Sequence, residues 1–149
     1  MRLVNAGMRG WQANEDRLSL SMPQSLAERA FRQGDVPAVR QFTQAFGARA
    51  GIGSVRLADF VLAVSEAAAC VTAVGPCTTR VRLWVAGTRA FCDVRGDGLL
   101  WRSACGTRAV AQPGEEEALR RWVLRRLSDH VSVASGPDGI RVLLSMSVA

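Results

Sequence analysis

The apolar residues of this chain change their spacing at Gly75-Pro76, and that switch limits the folds open to it. Upstream, Val39, Phe42 and Phe46 recur at spacings of three and four over residues 36–50, which is one face of a helix. Asp35 stands where an N-cap belongs and Pro37 at an early helical position. GIGS (51–54) stops that helix, and Ser54 is placed to cap a second one. The second stripe is Leu57, Phe60, Val61, Val64 and Ala68, with small residues at 67–69 for close packing. Downstream the period is two: Arg80, Arg82 and Trp84 alternate with Val81, Leu83 and Val85. Gly87-Thr88 turns the chain and residues 90–94 form a return strand. Helical spacing comes back in EEEALRRWVLRRLSDH (115–130), acidic in its first turn and Arg-rich later, as the helix dipole prefers. Its predicted buried face is Leu119, Trp122, Val123 and Leu127. Residues 131–135, a GPDG turn at 136–139 and residues 140–146 make a closing hairpin, and residues 26–33 read as a first strand with poor alternation. Helices grouped beside turn-linked strands predict an α+β fold: a two-layer sandwich of helices on one face of a mixed, mostly antiparallel sheet.

The chain has 149 residues, 48% hydrophobic and 21% charged, which suits one ordinary globular domain and argues against a disordered or collagen-like chain. Residues 1–25 are polar without a sustained period and read as an N-terminal extension, with the domain spanning 26–149. The longest apolar stretch is broken by Asp59 and Glu66, short of the roughly 18–20 residues of a spanning helix. The N-terminus lacks the apolar core of a secretory signal, so the expected location is the cytoplasm. Net charge is +6, and all 19 basic residues are Arg. They are spread along the chain, which fits a compositional bias better than a dedicated polyanion surface. The four cysteines, at 70, 77, 92 and 105, form no CxxC pair, and His130 is the one histidine. That spacing disfavours a structural zinc site, and Cys70 and Cys92, in apolar runs, read as buried thiols.

Three stretches carry a resemblance: LADFVLAVSEAA (57–68), RVRLWVAGTRAFCDVRGDG (80–98) and LSDHVSVASGPDGIRVLL (127–144). With their order, they resemble the histidine-kinase-like (GHKL) ATPase domain, and more narrowly the anti-sigma-factor serine kinases, over about residues 30–146. The resemblance implies a nucleotide pocket whose parts can be checked in turn. An E-x-x-x-N helix would supply a polarising Glu and a Mg²⁺-binding Asn; the matching positions here are Glu66 and Cys70. They share a helical face, but a thiol is a poor ligand for a metal that prefers hard oxygen donors. A D-x-G-x-G segment would read adenine. The best register puts Gly96 at the Asp position, Asp97 next, Gly98 at the first Gly and Leu100 at the second. A one-residue shift makes Asp97 the adenine Asp but puts Leu99 at the first Gly. A mobile lid corresponds to 99–114. The glycine-rich phosphate turn falls near 117–120, where Glu115, Glu116 and Glu117 repel phosphate and Arg120 and Arg121 partly offset them.

These substitutions each remove a contact to adenine, Mg²⁺ or phosphate. The expected function is therefore a regulatory protein of the anti-sigma-factor type. It would bind a sigma factor or its antagonist through Arg40, Arg49 and the third helix, as a homodimer in the family's manner, with weak or absent ATP binding. An alternative is an active ATP- and Mg²⁺-dependent serine kinase, with Glu66 as base, Asp97 on adenine and Arg120 or Arg108 on phosphate. A second is a nucleic-acid-binding domain built on RRWVLRR (120–126), disfavoured because Trp122 falls on the predicted core face and the helix starts acidic. Trp101, in the lid, is expected to fill the nucleotide cleft.

Overall fold

A computed structural model of the chain describes residues 25–32, 35–72, 78–97, 115–136 and 139–149. The elements run β1 (Ser25–Phe31), α1 (Val36–Arg49), α2 (Ser54–Thr72), β2 (Thr78–Ala86), β3 (Arg89–Asp97), α3 (Glu115–Leu127), β4 (His130–Gly136) and β5 (Gly139–Ser147). The extension before Ser25, the lid at 99–114 and Trp101 lie outside the described residues.

The first helix begins where its chemistry requires. The Asp35 carboxylate accepts from the Ala38 N–H at 3.3 Å, and Pro37 adds a residue that needs no backbone donor there. It ends at Gly51, which takes a left-handed φ of 79°. There the Ile52 N–H donates to the Gly47 carbonyl at 3.0 Å and Gly51 N–H to Ala48 at 3.2 Å, a Schellman closure that only glycine reaches without strain. The Leu57 N–H donates to the Gly53 carbonyl, so Ser54 stands inside the first turn of α2 rather than capping it from outside. The two helices approach closely at Gly47, where a Cβ would run into the Leu57 side chain.

Five strands form one sheet in the order β1-β2-β3-β5-β4. Each pairing is antiparallel, so the expected parallel component of a mixed sheet is absent among the described strands. The cause is connectivity: β2–β3 and β4–β5 are hairpins, and β5 returns beside β3 in the opposite sense. The α+β two-layer architecture is otherwise as the period switch predicts. One sheet face carries Val81, Leu83, Val85, Cys92, Val94, Val142, Leu144 and Met146 into a core with Phe46, Leu57, Phe60, Val64 and Val71 of the helices.

The third helix is turned relative to its predicted stripe. Leu119 and Trp122 are 60% and 58% exposed, while Leu124 is 1% exposed. The line that packs is Arg120, Leu124 and Leu127, at spacings of four and three, with Leu124 in the core and Arg120 beside Glu66 on α2. Trp122 instead lies under the Arg126 guanidinium, 5.5 Å from ring centroid to Cζ. The argument that Trp122 belongs to the core is thereby overturned. Among the described residues no helix is long and apolar enough to cross a membrane.

Candidate functional site

The residues matched to the nucleotide pocket fall at the α2–α3 contact and at the end of β3. Glu66 projects from α2 at a quarter exposure, and its Oε2 lies 4.0 Å from Arg120 Nε on α3. The residue in the base position and the residue proposed to hold phosphate are thus partners of each other. One turn on, Cys70 is 2% exposed and belongs to the apolar core. Cys70 thus sits within the core cluster, whereas Glu66 stays partly exposed. Neither Cys70 nor Cys92 is in a disulfide.

Gly96 is buried near the end of β3, opposite Thr79 in the β2–β3 register. Asp97 closes the strand, paired with Thr78. Gly98, Leu99 and Leu100 lie outside the described residues, as do the side chains of Asp97 and Glu115–Glu117. Beside Gly96, the Thr79 hydroxyl is buried with no hydrogen-bond partner.

The position of the metal-ligating Asn holds a buried thiol, and the base-position carboxylate is engaged by a guanidinium. Hard cations select oxygen ligands, which the Cys70 thiol does not supply.

A second cluster went unnoticed in the sequence. On the sheet face away from the helices, Asp93 is 2% exposed and gathers three arginines. Arg141 donates to it twice, Nε and a terminal nitrogen both at 2.9 Å, while Arg95 donates at 3.2 and 2.9 Å. Arg82 stands 3.7 Å away, and Arg80 pairs with Glu28 at 3.2 Å. Trp84 stacks on Phe91 on the same face, with centroids 5.2 Å apart and planes within 3°. The signal was present, since Arg80, Arg82 and Trp84 share one parity on β2, and Phe91, Asp93 and Arg95 share one on β3. What the sequence lacked was the register that sets them side by side, with Arg141 brought in from β5.

Burial pushes the Cys92 thiol well above its ordinary range, and the neighbouring Asp93 charge adds to the shift. That makes Cys92 an inert core thiol rather than a nucleophile. No protein-family model matches the chain, and no curated protein matches it.

Proposed function

We propose that this chain is a degenerate histidine-kinase-like domain of the anti-sigma-factor type, acting by binding a sigma factor or its antagonist and not by phosphotransfer. The observation that carries the reading is the buried Cys70 thiol where the resemblance requires a Mg²⁺ ligand. The Glu66–Arg120 pair supports it, because each partner occupies the other's charge. Phosphoryl transfer needs a metal to neutralise developing charge, and a buried thiol is a poor ligand for it. The element order on which the resemblance rests also supports it.

A binding role needs an accessible surface, and α3 offers one. Leu119 and Trp122 are exposed, and Arg125 and Arg126 flank them. Exposed Trp and Arg are the residue types that most often anchor interfaces. Their charge suits an acidic partner, and the exposed Arg40 and Arg49 of α1 extend the basic character.

The test has two arms. Calorimetric titration with Mg²⁺·ATP and ADP into the millimolar range is expected to give no binding heat. Titration with purified sigma factors and their antagonists is expected to give saturable binding to one of them, weakened about tenfold or more by Trp122→Ala. Mg²⁺-dependent nucleotide binding would overturn the nucleotide-independent reading. Absence of binding to both partner classes would overturn the anti-sigma reading.

A further inference from the structure

The side of α3 away from the core carries its own line of residues. Positions Glu115, Leu119, Trp122 and Arg126 follow one another at spacings of four, three and four, which aligns them along one edge of the helix. Leu124, in the core, stands across the helix axis from that edge. Leu119 is 60% and Trp122 58% exposed, and Trp122 is the one exposed aromatic residue among the described residues. Single apolar residues at a surface are ordinary. A Leu and a Trp one turn apart, on a line that is otherwise charged, make a narrow seam of the kind two helices share. The charge along this line also reverses. The helix opens on Glu115 and Glu116 and carries Arg125 and Arg126 in its last turn.

We propose that α3 pairs antiparallel with α3 of a second copy of this chain, forming a two-fold dimer. A two-fold axis makes every contact reciprocal, so each pairing occurs twice. The midpoint between Leu119 and Trp122 is also the midpoint between Glu115 and Arg126, so one register satisfies both pairs. In it Leu119 meets the partner's Trp122, and Glu115 meets the partner's Arg126. Each end then brings the acidic first turn of one copy to the basic last turn of the other. A parallel pairing sets Glu against Glu and Arg against Arg, which charge opposes. The self-complementary line is what favours a second copy over an unrelated acidic partner. A helix of 13 residues is about 20 Å long, so the contact falls at the small end of specific interfaces, below about 1,200 Å². The dimer is accordingly weak and reversible, anchored by Trp122 and half-associated between about 10 and 500 μM. The pairing involves this chain alone and does not depend on the anti-sigma reading. A protein that engages Trp122 displaces the second copy from it.

The experiment is analytical ultracentrifugation of the full chain, with no partner added, from about 5 μM to about 1 mM, a range that brackets a weak dimer. The expected result is a concentration-dependent monomer–dimer equilibrium, weakened about tenfold or more by Trp122→Ala. Two double variants test the register. Arg125→Glu with Arg126→Glu makes both ends of the line acidic, and Glu115→Arg with Glu116→Arg makes both ends basic. Each alone should associate at least about tenfold more weakly than the wild type, and an equimolar mixture should recover the dimer, because unlike charges then meet at both ends. Thermal melting checks that each variant folds. If the basic variant does not, because Arg opposes the dipole at the helix start, the acidic variant and Trp122→Ala decide. The proposal is overturned if the wild type stays monomeric throughout, or if it dimerises and these two variants dimerise equally well. It is equally overturned if both charge variants fold and remain monomeric when mixed. A chain that is monomeric alone but binds a sigma factor or its antagonist through Trp122 overturns this pairing and leaves the anti-sigma reading standing.

Discussion

Replacing Asp93 by Asn should be among the most damaging isosteric changes available to this chain. The side chain keeps its shape and loses its charge. Three arginines then lose a carboxylate, but they do not lose equally. Arg82 and Arg95 have a third to nearly half of their side chains in water and recover hydration, so each contributes no more than about 1 kcal/mol, as exposed ion pairs do. Arg141 has a side chain only 9% exposed and cannot. Leaving a buried charge without its counter-ion costs about 3–5 kcal/mol. Asn retains one carbonyl acceptor for the Arg141 fork, which places the expected loss near the lower end, about 3 kcal/mol. For a chain of this length that corresponds to a fall in melting temperature of roughly 10 °C. Stabilities of 5–15 kcal/mol are typical, so the variant should still fold. Urea denaturation gives the free energy directly, and an unchanged slope with urea certifies that both states are comparable. Adding Arg141→Met should recover much of the loss, because removing both partners leaves no orphaned charge. A loss below about 1 kcal/mol for Asp93→Asn, or a double variant no better than the sum of the singles, would refute the argument that Arg141 depends on Asp93.

Other perturbations probe the core and the surface. The folded Cys92 thiol titrates above its unfolded counterpart, so its stabilising effect is complete below the unfolded pKa of about 8.5 and fades as pH climbs toward the folded value. Urea midpoints measured from pH 7 to 10 should therefore fall more steeply for the wild type than for Cys92→Val. Gly47→Val should destabilise by about 2 kcal/mol or more, since the added carbons meet the buried Leu57 side chain; a gain in melting temperature would show that the helices can part at little cost. Trp122→Ser should change the unfolding free energy by less than about 1 kcal/mol, whereas Leu124→Ala should cost about 2–5 kcal/mol, and reversed magnitudes would restore the stripe expected from the sequence.

The two halves of α3 explain why some of this fold is legible in sequence and some is not. Periodicity announces a helix at 115–127 because apolar residues recur every three or four positions. It does not say which of two overlapping stripes turns inward. Leu119-Trp122-Val123-Leu127 and Arg120-Leu124-Leu127 both satisfy the spacing, and the structure buries Leu124 of the second while Leu119 and Trp122 of the first stay exposed. Composition favours the wrong stripe, since it has the Trp. The strands behave similarly. Parity on β2 and β3 separates core residues from arginines correctly, yet parity is local. The Asp93 cluster needs β5 beside β3, and nothing within either strand specifies that neighbour. The candidate site follows the same rule: Glu66 and Cys70 are named by spacing, but the pairing of Glu66 with Arg120 and the burial of Cys70 are consequences of how α2 packs.

The placement of β5 beside β3 also bears on how quickly the chain can fold. The β2–β3 and β4–β5 hairpins close over short turns and need little chain ordering. Their union does not: Arg141 and Asp93 are 48 positions apart, and closing a loop of that size costs about 3 kcal/mol of chain entropy before any contact rewards it. The seam between the hairpins is therefore the slow, topologically demanding event, and the Asp93–Arg141 pair lies across it. Interactions made only after that step leave the folding rate almost untouched and act on the unfolding rate. The buried pair spans the seam that must part for the two hairpins to separate, so it resists their opening.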